Sequence, residues 1–134
     1  MVGILLLTHA PLGQAFLAAA GHVFHSIPEQ IEAIDVIADQ NPDEVHALAD
    51  AAVKRLDDGS GVLVITDVKG GTPSNCTGSL CSRERVAVIA GISLPMLLRA
   101  LTYRNESLDV VVEMALAGGQ SGAVRVDNRI RLTF

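Results

Sequence analysis

An α/β fold, a doubly wound and mostly parallel sheet with helices on both faces, is predicted by three observations. Short, continuous apolar runs alternate along the chain with Ala-rich or amphipathic stretches, the pattern of strands linked by right-handed helical crossovers. Hydrophobic residues make up 49% of the chain but aromatics only 3%, and tryptophan is absent. The core must therefore be built from Ala, Val, Leu and Ile, which suits strands buried on both faces. Asn41-Pro42 and Thr72-Pro73 each place a capping side chain before a proline, a strong helix-start signal. At 134 residues, a single domain spanning 1–134 is expected.

The elements follow in order. Residues 2–8 are an apolar run bounded by turn residues and predict the first buried strand. Residues 13–25 are Ala-rich, with Phe16, Leu17, Ala20, Val23 and Phe24 near helical spacing. A second strand is expected over 31–37. A helix should then run from Pro42 to about Leu56, with Asp43 and Glu44 in its first turn and Asp57-Asp58-Gly59 closing it. Residues 62–66 predict the third strand, and Thr72-Pro73 opens a helix to about Ser82. Residues 85–90 predict a fourth strand. Ser93 caps a helix over 94–104, and another over 108–116 is expected to stop at Gly118-Gly119. Residues 123–127 alternate apolar and polar side chains, as an edge strand would, pairing either at home or with a second copy of the chain.

Composition excludes several function classes. A net charge of −5, with no Lys or Arg before Lys54, leaves no basic patch for nucleic acid. The only cysteines, Cys76 and Cys81, have neither redox-pair nor zinc spacing. His22, His25 and His46 lack a third and fourth ligand, so neither metal nor cofactor is expected. The amino-terminal apolar stretch is too short to span a bilayer and lacks a signal peptide's basic flank, so a cytoplasmic protein with no membrane insertion is expected. The arginines at 125, 129 and 131 would discourage edge-to-edge aggregation or meet an acidic partner. No Gly-x-Gly-x-x-Gly and no Gly-x-x-x-x-Gly-Lys-Ser/Thr occurs.

Chemistry concentrates at two strand ends. His9 follows the first strand, and Asp67 follows the third and leads into Lys69-Gly70-Gly71-Thr72-Pro73. In a parallel sheet both ends open into one crevice. An imidazole attacks phosphorus only when one ring nitrogen is bare, so a partner must accept the proton of the other. Asp67 is placed for that task. Gly70 and Gly71 let backbone amides approach an anion, and Thr72 offers a cap, a hydroxyl and a helix N-terminus. Lys69 would assist or stay solvated. Ala10, Pro11, Leu12 and Met96 would form an apolar rim for transient partner contact.

With these motifs in place, the chain resembles the IIA component of the mannose/fructose/sorbose family of the bacterial phosphoenolpyruvate-dependent sugar phosphotransferase system. The resemblance rests on Gly3-Ile4-Leu5-Leu6-Leu7-Thr8-His9-Ala10-Pro11-Leu12-Gly13, on Thr66 to Asn75, and on Gly91-Ile92-Ser93-Leu94-Pro95-Met96-Leu97. It implies a phosphotransferase whose phosphohistidine is His9, charged by the phosphocarrier protein HPr. Asp67 would orient the ring, with Gly70, Gly71 and Thr72 binding the phosphoryl group. It also implies a homodimer that exchanges a C-terminal strand. Many family members continue into a IIB domain, whereas this sequence stops at Phe134. The phosphoryl group is therefore expected to pass to a separate IIB component. Alternatively, the His9 phosphorylation state would regulate a non-transport target. A flavodoxin-like small-ligand module is the reading from another class.

Overall fold

The structure, a computed structural model, describes residues 1–68, 80 and 83–127. Its elements are β1 (Gly3–His9), α1 (Leu12–Phe24), β2 (Ile31–Val36), α2 (Pro42–Leu56), β3 (Val62–Thr66), β4 (Val86–Ala90), α3 (Leu94–Tyr103) and α4 (Leu108–Ser121). The helix expected from Thr72 falls outside the described residues, Leu80 apart.

All four strands pair in parallel, in the order β2-β1-β3-β4. The apolar runs of β1 and β3 are buried on both faces, those of the outer β2 and β4 only in part, and side chains alternate between two cores as the pleat requires. Ile4, Leu6, Leu63, Ile65 and Ile89 pack with α1, α3 and α4. Leu5, Leu7, Val62 and Val64 pack with α2, through Val45, Ala49, Ala52, Val53 and Leu56, and with Leu80. The doubly wound α/β architecture read from the sequence is therefore the one observed.

Local chemistry sets the helix starts. Asn41 Oδ1 accepts the Asp43 amide at 2.9 Å ahead of Pro42. Ser93 caps α3 by accepting from the Met96 amide at 3.3 Å, and Ser107 caps α4 through the Val110 amide at 3.4 Å. Between α2 and β3, Asp57 Oδ1 accepts the amides of Gly59 and Gly61 at 2.8 and 3.1 Å. Burial works against ionisation there, yet the Gly59 amide is the largest influence and, with Arg85, holds the Asp57 carboxyl below the usual carboxylate range.

Two expectations are corrected. The last helix does not stop at Gly118-Gly119 but runs through both to Ser121. The glycines serve packing instead: a Cβ on Gly118 would stand 2.8 Å from the Pro95 carbonyl oxygen and 2.9 Å from Arg99 Cβ. Residues 123–127 form no strand in the single chain. Val124 and Val126 stand 67% and 74% exposed there, so among the described residues no neighbour buries the apolar side of this alternation.

At the end where the strands begin, Arg104 is buried and clasps three carbonyls. It donates to Val2 O through Nε and Nη2 at 3.1 and 2.9 Å, to Glu29 O at 2.6 Å and to Gln30 O at 2.6 Å. Burial lowers its pKa from the usual guanidinium range, against the raising influence of Asp58 and Glu29. This clasp joins the end of α3 to the starts of β1 and β2.

Candidate functional site

The chain leaves β1 for β2 on one side and returns for β3 on the other. The strand order thus reverses between β1 and β3, which opens a crevice at their carboxyl ends. Leu7 of β1 lies opposite Thr66 of β3, so the next residues of both strands emerge side by side. Asp67 is the next residue after β3, and His9 closes β1 one residue beyond Thr8.

Their contact is close and two-fold. The His9 Nδ1 is 2.8 Å from Asp67 Oδ2, and the His9 backbone N–H donates to the same oxygen at 3.0 Å. The second oxygen, Oδ1, accepts the Val68 amide at 2.9 Å. The Asp67 side chain is only 6% exposed, whereas that of His9 is 49% exposed. Burial pushes the Asp67 carboxyl up, but the bonds from the His9 amide, the His9 ring and the Val68 amide outweigh it and leave it below the ordinary range. An anionic carboxylate accepts only an N–H, so the Nδ1 facing it carries a proton, and in the neutral ring that leaves the lone pair on Nε2. The result is an oriented, half-exposed imidazole.

Other residues singled out in the sequence fare differently. Ala10, Pro11 and Leu12 are exposed beside His9. Met96 is not on that rim. It is 3% exposed in the core under α1, α3 and α4, and its methyl lies 2.8 Å from where a Cβ on Gly119 would stand. Lys69, Gly70, Gly71 and Thr72 lie outside the described residues.

The sequence reading missed three residues around the site. Ile37 and Val68 follow β2 and β3 and are 62% and 56% exposed, adding apolar surface on either side of His9. Next to His9, Ile37, Asp39 and Gln40 help line an open cleft of about 660 Å³. The third is Asp35, whose Oδ1 accepts the Gly13 amide at 2.9 Å. A carboxylate inside the otherwise apolar Ile34-Asp35-Val36 was the available signal.

Among the described residues no cluster of His, Cys, Asp and Glu could hold a metal ion, and no helix is long and apolar enough to cross a membrane.

The family model EIIA-man, described as the PTS system fructose IIA component, matches residues 3–116. The chain belongs to this family. Among EIIA-man relatives, the sorbose-specific EIIA component of Lacticaseibacillus casei is 32% identical over 113 residues, covering 81% of this chain and 79% of that protein. The mannose-specific EIIAB component of Escherichia coli K12 is 29% identical over 124 residues, 90% of this chain. The match spans only 38% of that longer protein. Among solved structures, the EIIA component from Streptococcus agalactiae superposes with a TM-score of 0.83 at 25% identity, covering 93% of this chain and 97% of that one. The mannose/sorbose specific IIA subunit from Enterococcus faecalis gives a TM-score of 0.84 at 24% identity over 98% of both chains, a likeness of fold.

Proposed function

We propose that this EIIA-man chain is a single-domain phosphocarrier that accepts a phosphoryl group from phospho-HPr on His9 and passes it to a IIB component. The observation that carries the reading is the Asp67 carboxylate set 2.8 Å from His9 Nδ1. That contact favours the tautomer with the proton on Nδ1 and Nε2 bare.

The transfer is an in-line exchange between nitrogens. As the Nε2–phosphorus bond forms, the donor's nitrogen–phosphorus bond breaks, and the donor ring leaves with the electron pair. The Nδ1 proton stays between ring and carboxylate throughout, so the positive charge that builds on the imidazole is met by Asp67. Gly70, Gly71 and Thr72 would supply amides and a hydroxyl to the phosphoryl oxygens. The bonds broken and made are alike, so positioning accounts for most of the acceleration. Neither metal nor nucleotide takes part in this step.

Two proteins must approach the ring in turn. Half exposure of His9, and the apolar surface of Ala10, Pro11, Leu12, Ile37 and Val68 around it, suit brief contacts with different partners. The reading places the protein in the cytoplasm as a homodimer.

Incubation with phosphoenolpyruvate, enzyme I and HPr should label the wild type with one acid-labile, alkali-stable phosphate, and His9→Ala should take up none. Undiminished labelling of His9→Ala would end this reading.

A further inference from the structure

A second carboxylate stands at the same end of the sheet with no part in the chemistry above. Asp35 lies opposite Thr8 in the β1–β2 register. Its Oδ1 accepts the Gly13 amide at 2.9 Å and the Thr8 hydroxyl at 3.4 Å. Thr8 is fully buried and immediately precedes His9. Helix α1 has no side-chain cap of its own and no acid in its first turn, because Pro11 occupies the capping position. Asp35 supplies that acceptor from the neighbouring strand, where a negative charge also suits the helix start. Gly13 leaves room for it: a Cβ there would be 2.6 Å from Asp35 Oδ1 and 3.2 Å from Ala33 Cβ.

The turn carrying His9 is therefore held at both ends. The His9 amide goes to Asp67, the Ala10 amide goes to the Val36 carbonyl at 2.9 Å, and the Gly13 amide goes to Asp35.

We propose that Asp35 is a positioning residue for His9. By fixing Thr8 and Gly13 it sets the path of the turn between them, so that the ring meets Asp67 with Nε2 outward. This rests on the reading of His9 as the phosphoryl acceptor.

Asp35→Ala removes the acceptor, and Asp35→Asn keeps an oxygen in its place. In single-turnover transfer from phospho-HPr, Asp35→Ala should lower the maximal rate roughly 10- to 100-fold with the half-saturating donor concentration little changed. Asp35→Asn should recover to within about threefold of wild type, since both side chains cap helices well. In the unphosphorylated protein, the His9 ring ¹⁵N resonances should shift toward a tautomer mixture in Asp35→Ala and stay at wild-type positions in Asp35→Asn. Wild-type ring resonances and rate in Asp35→Ala would overturn the proposal. So would equal impairment of both variants with unchanged rings, which would mark a charge effect instead. If the wild type itself accepts no phosphate, the phosphocarrier reading fails. The ring spectra still decide the role of Asp35: a shift in Asp35→Ala alone supports it, and no shift overturns it.

Discussion

A single oxygen, Asp67 Oδ2, receives both the His9 amide and the His9 ring. Backbone and side chain are thus fixed to one point, and the ring has little freedom to turn its bare nitrogen inward. The carboxyl is held below its ordinary range by these bonds despite its burial. The sign follows: a carboxylate favoured in the folded state stabilises it above the ordinary value and loses that contribution as pH falls through the lowered one. The Asp67 carboxyl ¹³C signal should therefore titrate below the ordinary value of about 3.9. The stability difference between wild type and Asp67→Asn should shrink across the same acid range. An inflection at or above the ordinary value would contradict the arrangement. The His9–Asp67 pair was legible in the sequence because each residue closes an apolar run, and parallel strands open their ends together. Asp35 was not, because its partners Thr8 and Gly13 are specified by strand register, which a single sequence does not display.

Among the elements, those opened by a capping side chain were readable nearly to the residue. Asn41-Pro42, Ser93 and Ser107 each bond an amide in the first turn of the helix that follows. Misreading came where glycine had two meanings. Gly118 and Gly119 looked like a helix stop but let α4 lie against α3. The two positions should respond differently to alanine. At Gly118 the new methyl meets the Pro95 carbonyl and Arg99 Cβ, so Gly118→Ala should destabilise by about 1–3 kcal/mol. At Gly119 the obstruction is the far end of Met96, which can swing aside. The helix-propensity gain of about 1 kcal/mol then offsets the cost and leaves Gly119→Ala near neutral. Urea denaturation of the two variants checks this, and equal effects would refute the packing account. Alternation at residues 123–127 describes a strand without saying what it would pair with, and among the described residues it pairs with none.

For the molecule as a whole, the order β2-β1-β3-β4 separates two tasks. The carboxyl ends of the strands carry His9 and Asp67, and the amino ends carry the Arg104 clasp on Val2, Glu29 and Gln30. Arg104→Ala strands those carbonyls and should cost on the order of 3 kcal/mol of stability, read as a lower urea midpoint. Phosphoryl acceptance per folded molecule should be unchanged, because the clasp touches nothing at the crevice. A variant that stays stable yet loses acceptance would show that the two ends are coupled. The α/β class was legible from alternation and composition, whereas this clasp joins residues 102 positions apart and only folding brings them together.

Strand β1 also acts as a measuring rod. Met1 is pinned just ahead of its start by a 2.9 Å ion pair with Asp58, and His9 is the last of the seven residues that Gly3 begins, so the two ends of the strand lie about 20 Å apart at the usual rise per residue. A fluorophore attached at the amino terminus would sit well clear of arriving partners yet within energy-transfer range of a dye carried on one. Docking and departure could then be timed separately from the chemistry.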